Sequence, residues 1–472
     1  MTTRLETDYL IIGAGAMGMA FGDVLHTESD AGFLFVDRHA RPGGHWNDSY
    51  PFVRLHQPSA FYGVNSSPLG DDTIDQIGWN AGLFELASGT EVVSYFEKVM
   101  QRQFLPSGRT QYFPMCNYLG DRRFESMVTG ETFEVATSKV VDATYMNVKV
   151  PSVVGPSYDV ADGVRCVALN ELPKSAATPD GYVIVGAGKT AMDAVLWLLA
   201  NNVDPDAITW ITPRDSWILD RAKLQPGPDF WDVTLANAAA QIQASAEADS
   251  VDDLFDRLEA AGSLMRIDPA VRPTMYRCAT CTRAELDQLR RVRRVVRMGR
   301  VRRIEPDRVV LDEGEIPTTT RTLHVDCAAD GLERRPSVPV FDGDQLTLQT
   351  VRHCQQVFSA ALIAHIEVAY TDEATKNRLA TVVPHPTTDI DWLRTALGNA
   401  INNATWRGDD AITQWSVDAR LDGFSRMRSG AAPTPSQRAS MELIAEHSAQ
   451  SVANLRRLIE EAELSLETFG YA

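Results

Sequence analysis

The 472-residue chain reads as an α/β protein in which one parallel-sheet unit is interrupted by a second of the same kind. Three observations carry that reading. An apolar run over residues 9–12 leads into Gly13, Gly15 and Gly18, then a helical pattern, then a strand over 33–36 that ends at Asp37. The same order recurs at residues 182–185, followed by Gly186, Gly188 and Ala191, a helical pattern, and a strand over 208–211 that runs out toward Arg214. Finally, residues 140–151 are echoed by 323–336. Each is an apolar strand ending in Val-Asp, then small residues, then a proline, the pattern of a chain leaving and re-entering a sheet domain. The predicted architecture is therefore two Rossmann-like dinucleotide-binding domains, the second inserted in the first, with a helical insertion and a helical C-terminal segment. The expected boundaries are 1–150 with 325–430 for the first domain, 151–324 for the second with its insertion at 225–270, and 431–472 for the C-terminal segment.

In the first unit each glycine has a separate task. Gly13 permits the tight turn from strand to helix, Gly15 lets a pyrophosphate approach the backbone, and Gly18 lets helix and strand pack closely. The helix N-terminus at Ala16 and Met17 offers free N–H groups and the positive end of its dipole to a phosphate. Asp37, with Arg38 beside it, lies where an acid can hydrogen-bond a ribose hydroxyl. It is the order of strand, glycines, helix, strand and acid that identifies a dinucleotide site, more than the glycines alone.

Gly43-Gly44-His45-Trp46 follows, and its paired glycines mark close backbone approach to something flat or bulky. Residues 47–69 read as a loop punctuated by Pro51, Pro58 and Pro68, with Tyr50, Phe52, Phe61 and Tyr62 among the polar Arg54, His56 and Gln57. A loop of that length is functional or disordered, and its aromatic content argues against disorder. Residues 91–104 have helical periodicity. Short antiparallel strands are predicted over 111–117, 122–129 and 132–135, and another apolar strand over 139–144.

In the second unit Ala191 stands where the third glycine would be, a replacement the motif tolerates. Lys189 and Thr190 open the helix. A guanidinium at Arg214 suits a 2′-phosphate, which favours NADP(H) over NAD(H), with Asp215 beside it as the competing signal. Helical spacing returns at 230–242 and 251–264. A helix is expected from Arg283 to about Val295, then strands near 301–304 and 308–311. The arginines between 290 and 303 are expected on a solvated helix face with neighbouring ion pairs. Helices are predicted at 350–370, 389–404 and 437–463, the last after a linker at 430–436.

Composition bounds the partners. The chain is 44% apolar and 23% charged with a formal net charge of −18, which speaks against nucleic acid and anionic membrane as main partners. No run approaches the ~18 apolar residues of a membrane span. The first strand begins by Asp8, which leaves no room for a signal peptide, so a cytoplasmic location is expected. Six cysteines in so long a chain do not suggest a disulfide scaffold. The histidines form no H-x-x-H or H-E-x-x-H pattern, so no metal site is expected, and no catalytic residue is identifiable from spacing.

Two nucleotide units in one chain, one inside the other, resemble the flavin-dependent monooxygenases: the flavin-containing monooxygenases, N-hydroxylases and Baeyer–Villiger enzymes. The likeness is carried by Gly13, Gly15, Gly18 and Asp37, by Gly43-Gly44-His45-Trp46 as the family's Gly-Gly-x-Trp, by Gly186 to Asp193, and by Arg214. The resemblance implies FAD on the first unit, held by Gly13, Gly15, Ala16, Met17, Gly18, Asp37 and Arg38, with Gly44, His45, Trp46, His56 and Gln57 toward the flavin. It implies NADPH on Gly186, Gly188, Lys189, Thr190, Ala191 and Arg214. Hydride would pass to the flavin, and a flavin peroxide would deliver one atom of molecular oxygen to a small organic substrate. The family's Phe-x-Gly-x-x-x-His fingerprint is not matched: Gly155 stands without its aromatic and histidine partners, which counts most against the Baeyer–Villiger subgroup.

Two other classes share these features. One is an NADPH-dependent flavin reductase of the disulfide type, suggested by the C-x-x-C at Cys278 and Cys281. In low-molecular-weight thioredoxin reductases such a pair precedes the second glycine turn, whereas here it follows, so structural cysteines are expected. The other is a non-catalytic flavin-binding redox sensor or interaction protein. In that case the helical insertion and the C-terminal helix would be its contact surface; in an enzyme they would serve as a lid and as a homo-oligomer contact.

Overall fold

The computed structural model describes residues 2–175, 179–424 and 432–468. Its first sheet is centred on the strand Thr2–Ile12. Phe33–Val36 and then Thr110–Phe113 lie parallel on one side; Thr132–Asp142 and then Gln345–Thr347 lie parallel on the other. The second sheet repeats the plan around Gly181–Val185. Ile208–Ile211 and Arg294–Val296 lie on one side, Thr322–Asp326 and Arg165–Ala168 on the other, all parallel. The five strands of the second sheet fall, in chain order, between two strands of the first.

The two glycine turns are built alike. Gly13 N–H donates to Val36 O at 2.8 Å, and Gly186 N–H to Ile211 O at 3.0 Å. Ala143 N–H donates to Ile12 O at 3.0 Å, and Cys327 N–H to Val185 O at 2.9 Å. The echoed Val-Asp segments thus occupy matching places. Each ends the strand beside the glycine strand, and its next residue closes over the turn.

Several elements differ from expectation. The strands expected at 132–135 and 139–144 are one strand, Thr132–Asp142, and its partner begins at Thr2 instead of residue 9. The two run in register from Thr2↔Thr132 to Ile12↔Asp142. The first half of Thr2–Ile12 is largely exposed, so no apolar run announces it. The helix from Arg283 stops at Leu289, because the β-branched Val295 and Val296 join the edge of the second sheet. The arginine run is therefore split among a helix, a strand and a hairpin. Arg290 pairs with Asp287, Arg302 with Asp312 and Arg303 with Glu305, and Arg300 and Arg302 both border the cavity described below.

The helical insertion is present as Trp231–Glu247 and Val251–Ala260. It is framed by a small sheet that the sequence did not announce, formed by Ser216–Asp220, Leu264–Met265 and Met275–Cys281. The C-terminal helix Pro435–Thr468 lies on this region. Asn454 donates to the carbonyls of Ser245 and Ala248, and Leu455 and Leu458 share a core with Trp217, Phe255 and Trp392. One face of the helix is thus occupied within the chain. The start of the expected linker, residues 430–431, lies outside the described residues.

The loop 47–69 is fixed from both sides. Arg420 donates to the carbonyls of Ala60, Tyr62 and Val64. Arg221, 1% exposed, donates to His56 O at 3.0 Å and pairs with Glu285 at 2.9 Å, which ties the loop to the second unit.

A side chain at Gly18 would meet Gly13 O at 2.0 Å, whereas one at Gly188 would meet nothing within 4 Å. Gly18→Ala is therefore expected to lose about 1–3 kcal/mol by chemical denaturation, and Gly188→Ala to stay within about 0.5 kcal/mol of the parent.

Candidate functional site

A cavity of about 1130 Å³ opens at the carboxyl ends of the strands of both sheets. Tyr145 and Met146 follow Thr132–Asp142, and Gln349 and Thr350 follow Gln345–Thr347. From the second sheet come Gly186 to Thr190, Pro213 and Arg214, Leu169 and Asn170, and Cys327 to Asp330. Ligands of open parallel sheets bind at such an end. The remaining wall is the aromatic loop, with Trp46, Tyr50, His56, Gln57 and Tyr62.

Among the described residues, the N–H groups of Gly188, Lys189 and Thr190 have no protein acceptor, and all three residues face the cavity. A helix start of this kind is an anion site. Lys189 is ion-paired to Asp193, which also accepts from Tyr50 OH at 2.5 Å, so the loop docks on the second turn. Phe52 stacks on Trp197 at 5.2 Å and reinforces that contact.

Beyond the turn lie Arg214, Arg300 and Arg334. Among the described residues no carboxylate forms an ion pair with any of them. Burial, with the charges of Arg334 and Arg300, lowers the proton affinity of Arg214. Asp215, the competing acid in the sequence, is held by Arg297 through bonds of 2.8 and 3.0 Å and is not offered to a ligand. The structure thus removes the signal that opposed a 2′-phosphate.

The first turn is arranged differently. The N–H groups of Gly15, Ala16 and Met17 likewise have no protein acceptor among the described residues. Asp37, 6% exposed, accepts from Ala14 N–H at 2.6 Å and His39 N–H at 2.7 Å, while Arg38 is exposed. The flat object that the paired glycines approach is this turn itself. Gly43 N–H donates to Ala14 O at 2.8 Å, and a side chain on Gly44 would meet Gly15 Cα at 3.0 Å.

The cavity therefore gathers His45, Trp46, His56, Gln57, Gly186, Gly188, Lys189, Thr190 and Arg214 of the sequence-predicted residues. Gly13, Gly15, Ala16, Met17, Gly18, Asp37, Arg38 and Gly44 do not line it; they form the adjoining turn, joined to it through His45. Ala191 is fully buried behind the second turn. Sequence reasoning missed Arg300 and Arg334, which lay in runs read as solvent-facing or as a domain crossing. It also missed His353, Cys354 and His385, which carry no motif.

The C-x-x-C pairing, which the sequence already set below structural cysteines, is not the one found. Cys278 forms a disulfide with Cys354, not with Cys281. Cys281 is buried in the core of the second unit, and burial pushes its thiol up to about 12.

Three imidazoles in the cavity wall are held neutral. Burial, with the charges of Lys189 and Arg221, pushes His56 down to about 3, and among the described residues its Nδ1 has no partner. Burial brings His45 and His385 to about 4. The positive charge in the cavity therefore comes from arginine and lysine.

This arrangement is similar in fold to a solved monooxygenase structure. An oxidized steroid monooxygenase bound to NADP matches with a TM-score of 0.50 over 95% of this chain and 98% of its own, at 12% identity. A polycyclic ketone monooxygenase from the fungus Thermothelomyces thermophila gives 0.49 over 98% and 88%, at 11% identity. No family model matches the chain. It is 57% identical over 418 residues to the uncharacterized protein Rv2000 of Mycobacterium tuberculosis, covering 89% of this chain and 78% of that one, and equally to Mb2023 of Mycobacterium bovis. The chain belongs to the family of these mycobacterial proteins.

The depressed histidines predict an acid-side loss of stability. An unfolded histidine titrates near 6.5, so from there down to about 4 the unfolded chain binds protons that His56 and His385 refuse. Their contribution is complete above 6.5 and declines as pH falls through this window, by about 1.4 kcal/mol per pH unit for each. Denaturation of His56→Gln across that range should show a shallower slope than the parent.

Proposed function

We propose that the chain is an FAD-dependent oxidoreductase that uses NADPH, and specifically a single-component monooxygenase that transfers one oxygen atom to a small organic substrate. The observation that carries this reading is the cavity at the carboxyl ends of both sheets, walled on one side by a bare helix N-terminus and unpaired arginines and on the other by aromatic side chains. Its two ends differ in chemistry as the two halves of NADPH do.

On this reading residues 1–150 with 325–430 form the FAD-binding domain, and 151–324 the NADPH-binding domain with its helical insertion at 225–270. Residues 431–472 form the C-terminal segment. The amides of Gly15, Ala16 and Met17 hold the FAD pyrophosphate, and Asp37 accepts from a ribose hydroxyl. The close packing at Gly13 and Gly18 keeps that turn open to a diphosphate, so the residues present fit the group. FAD, when bound, supplies the electron-pair storage and the reaction with oxygen.

The chain's own work is binding and exclusion. Gly186, Gly188, Lys189 and Thr190 present amides to the NADPH pyrophosphate, with Ala191 packed behind them. Arg214, joined by Arg300 and Arg334, takes the 2′-phosphate. Trp46, fixed by its indole N–H on Tyr62 OH at 2.7 Å, and the neutral His56 line the region where the two cofactors meet and keep water from it. Gly44, His45 and Gln57 complete that wall. A cytoplasmic setting, where NADPH is produced, goes with this reading.

The purified protein should carry flavin absorbance and consume NADPH with oxygen. Isotopically labelled oxygen gas should leave one labelled atom in the product of an accepted substrate. A colourless protein that refuses added FAD would overturn the proposal, and NADPH oxidation that yields only hydrogen peroxide with every substrate class would remove the oxygen-transfer half. Arg214→Ala should raise KM for NADPH about 10–100-fold with kcat and the NADH reaction little changed, since it removes a charge-assisted contact to a group only NADPH has.

A further inference from the structure

The disulfide lies in an unusual place for a structural bridge. Cys278 belongs to the strand Met275–Cys281 of the small sheet, and Cys354 to the segment between the strand Gln345–Thr347 and the helix Gln356–Ala369. Both residues line the same cavity as the second glycine turn and Trp46. His353 Nε2 lies 3.0 Å from Cys278 Sγ. The His353 backbone N–H donates to Asn399 Oδ1 at 2.9 Å, and its ring lies beside that of Tyr276 at 5.7 Å. Both cysteines also have left-handed backbone, with φ of 56° at Cys278 and 54° at Cys354. Non-glycine residues rarely adopt that conformation, and where they do the site is often functional.

We infer that the Cys278–Cys354 disulfide is a redox centre facing the nucleotide cavity, reduced to a dithiol by the electron pair that NADPH brings, with His353 receiving the thiol hydrogen bond. The inference rests on the NADPH reading above and adds an acceptor inside the chain. The step balances. The S–S bond breaks; a hydride equivalent from the nicotinamide, directly or by way of the flavin, supplies both electrons and one proton; solvent supplies the second proton. The products are the Cys278 and Cys354 thiols and NADP⁺. Burial holds the His353 imidazole at about 3, so it is neutral and able to accept from the new Cys278 thiol. Reduction also removes the covalent tie between the small sheet and the first-sheet segment at residue 354.

The other cysteines are separate from this chemistry. Cys116, Cys166, Cys281 and Cys327 are free thiols, and burial raises the proton affinity of each. A cavity-facing disulfide with a histidine at one sulfur is the kind of bridge that turns over, whereas structural bridges resist exchange.

The test is a thiol count on the holoprotein. Samples are alkylated under denaturing conditions before and after anaerobic NADPH, and the sites are read by peptide mass spectrometry. The as-isolated chain should show four reactive cysteines and the NADPH-treated chain all six, the new sites being Cys278 and Cys354. The double variant Cys278→Ser with Cys354→Ser should show four in both states. If the flavin bleaches with NADPH while Cys278 and Cys354 stay unlabelled, this inference fails and the cofactor reading stands. If NADPH neither binds nor bleaches a flavin, both fail. Six labelled cysteines before NADPH, or zinc in equal amount by elemental analysis, would overturn the disulfide centre; the zinc result would reassign Cys278, His353 and Cys354 as metal ligands.

Discussion

Backbone lying directly on backbone is the constraint from which this molecule follows. A helix N-terminus can present bare amides to a diphosphate only if nothing projects from the turn that aims it. At Gly18 the turn closes to within 2.0 Å of where a side chain would begin, and at Gly186 a side chain would meet Cys327 O at 2.5 Å. The paired glycines at 43 and 44 extend the same packing, with Gly44 laid against Gly15. Three chain segments thereby converge without side chains between them. The large residues can then be spent on the cavity wall, where Trp46, Tyr50 and Tyr62 stand.

The repetition of this device explains the doubled architecture. Each glycine strand has its second strand on one flank and the Val-Asp strand on the other, and the hydrogen bonds that close the two turns agree in donor and acceptor place. The two units still differ in what they offer. The first turn is covered by residues 43–44 and has a buried acid at Asp37. The second opens into the cavity and is answered by arginine. The loop 47–69 joins the two because it is anchored by Arg420 on one side and Arg221 on the other, and because Tyr50 reaches Asp193.

What the sequence made legible is what short-range geometry dictates. Glycine spacing, strand-ending acids and apolar runs located both turns, their helices and the Val-Asp echo, since each depends on residues a few positions apart. The edge strand Arg294–Val296 and the long Thr2–Thr132 pairing were hidden because an exposed strand has no apolar run, and its partner is set by tertiary pairing. The arginine run misled for a related reason. Neighbours in the run part ways along the strand Val301–Ile304: Arg300 and Arg302 border the cavity, whereas Arg303 does not and pairs with Glu305. The partner of Cys278 lies 76 residues away, a distance over which local spacing carries no information, and the nearer Cys281 suggested a false pair.

The charge arrangement of the cavity gives the last argument. The chain carries a net charge of −18, yet Arg214, Arg300 and Arg334 face one cavity with no carboxylate paired to them among the described residues. Burial first, and then the neighbouring charges of Arg334 and Arg300, lower the proton affinity of Arg214. The neighbouring acids are held by other arginines: Asp215 by Arg297, and Asp330, whose charge still reaches Arg214, by Arg277. The folded state thus keeps a positive site that Asp330 offsets only in part, beside a helix start that also seeks an anion. A multiply charged anion bridging helix start and arginines would relieve both at once, so ligand binding and stability of the fold are linked through the same few side chains.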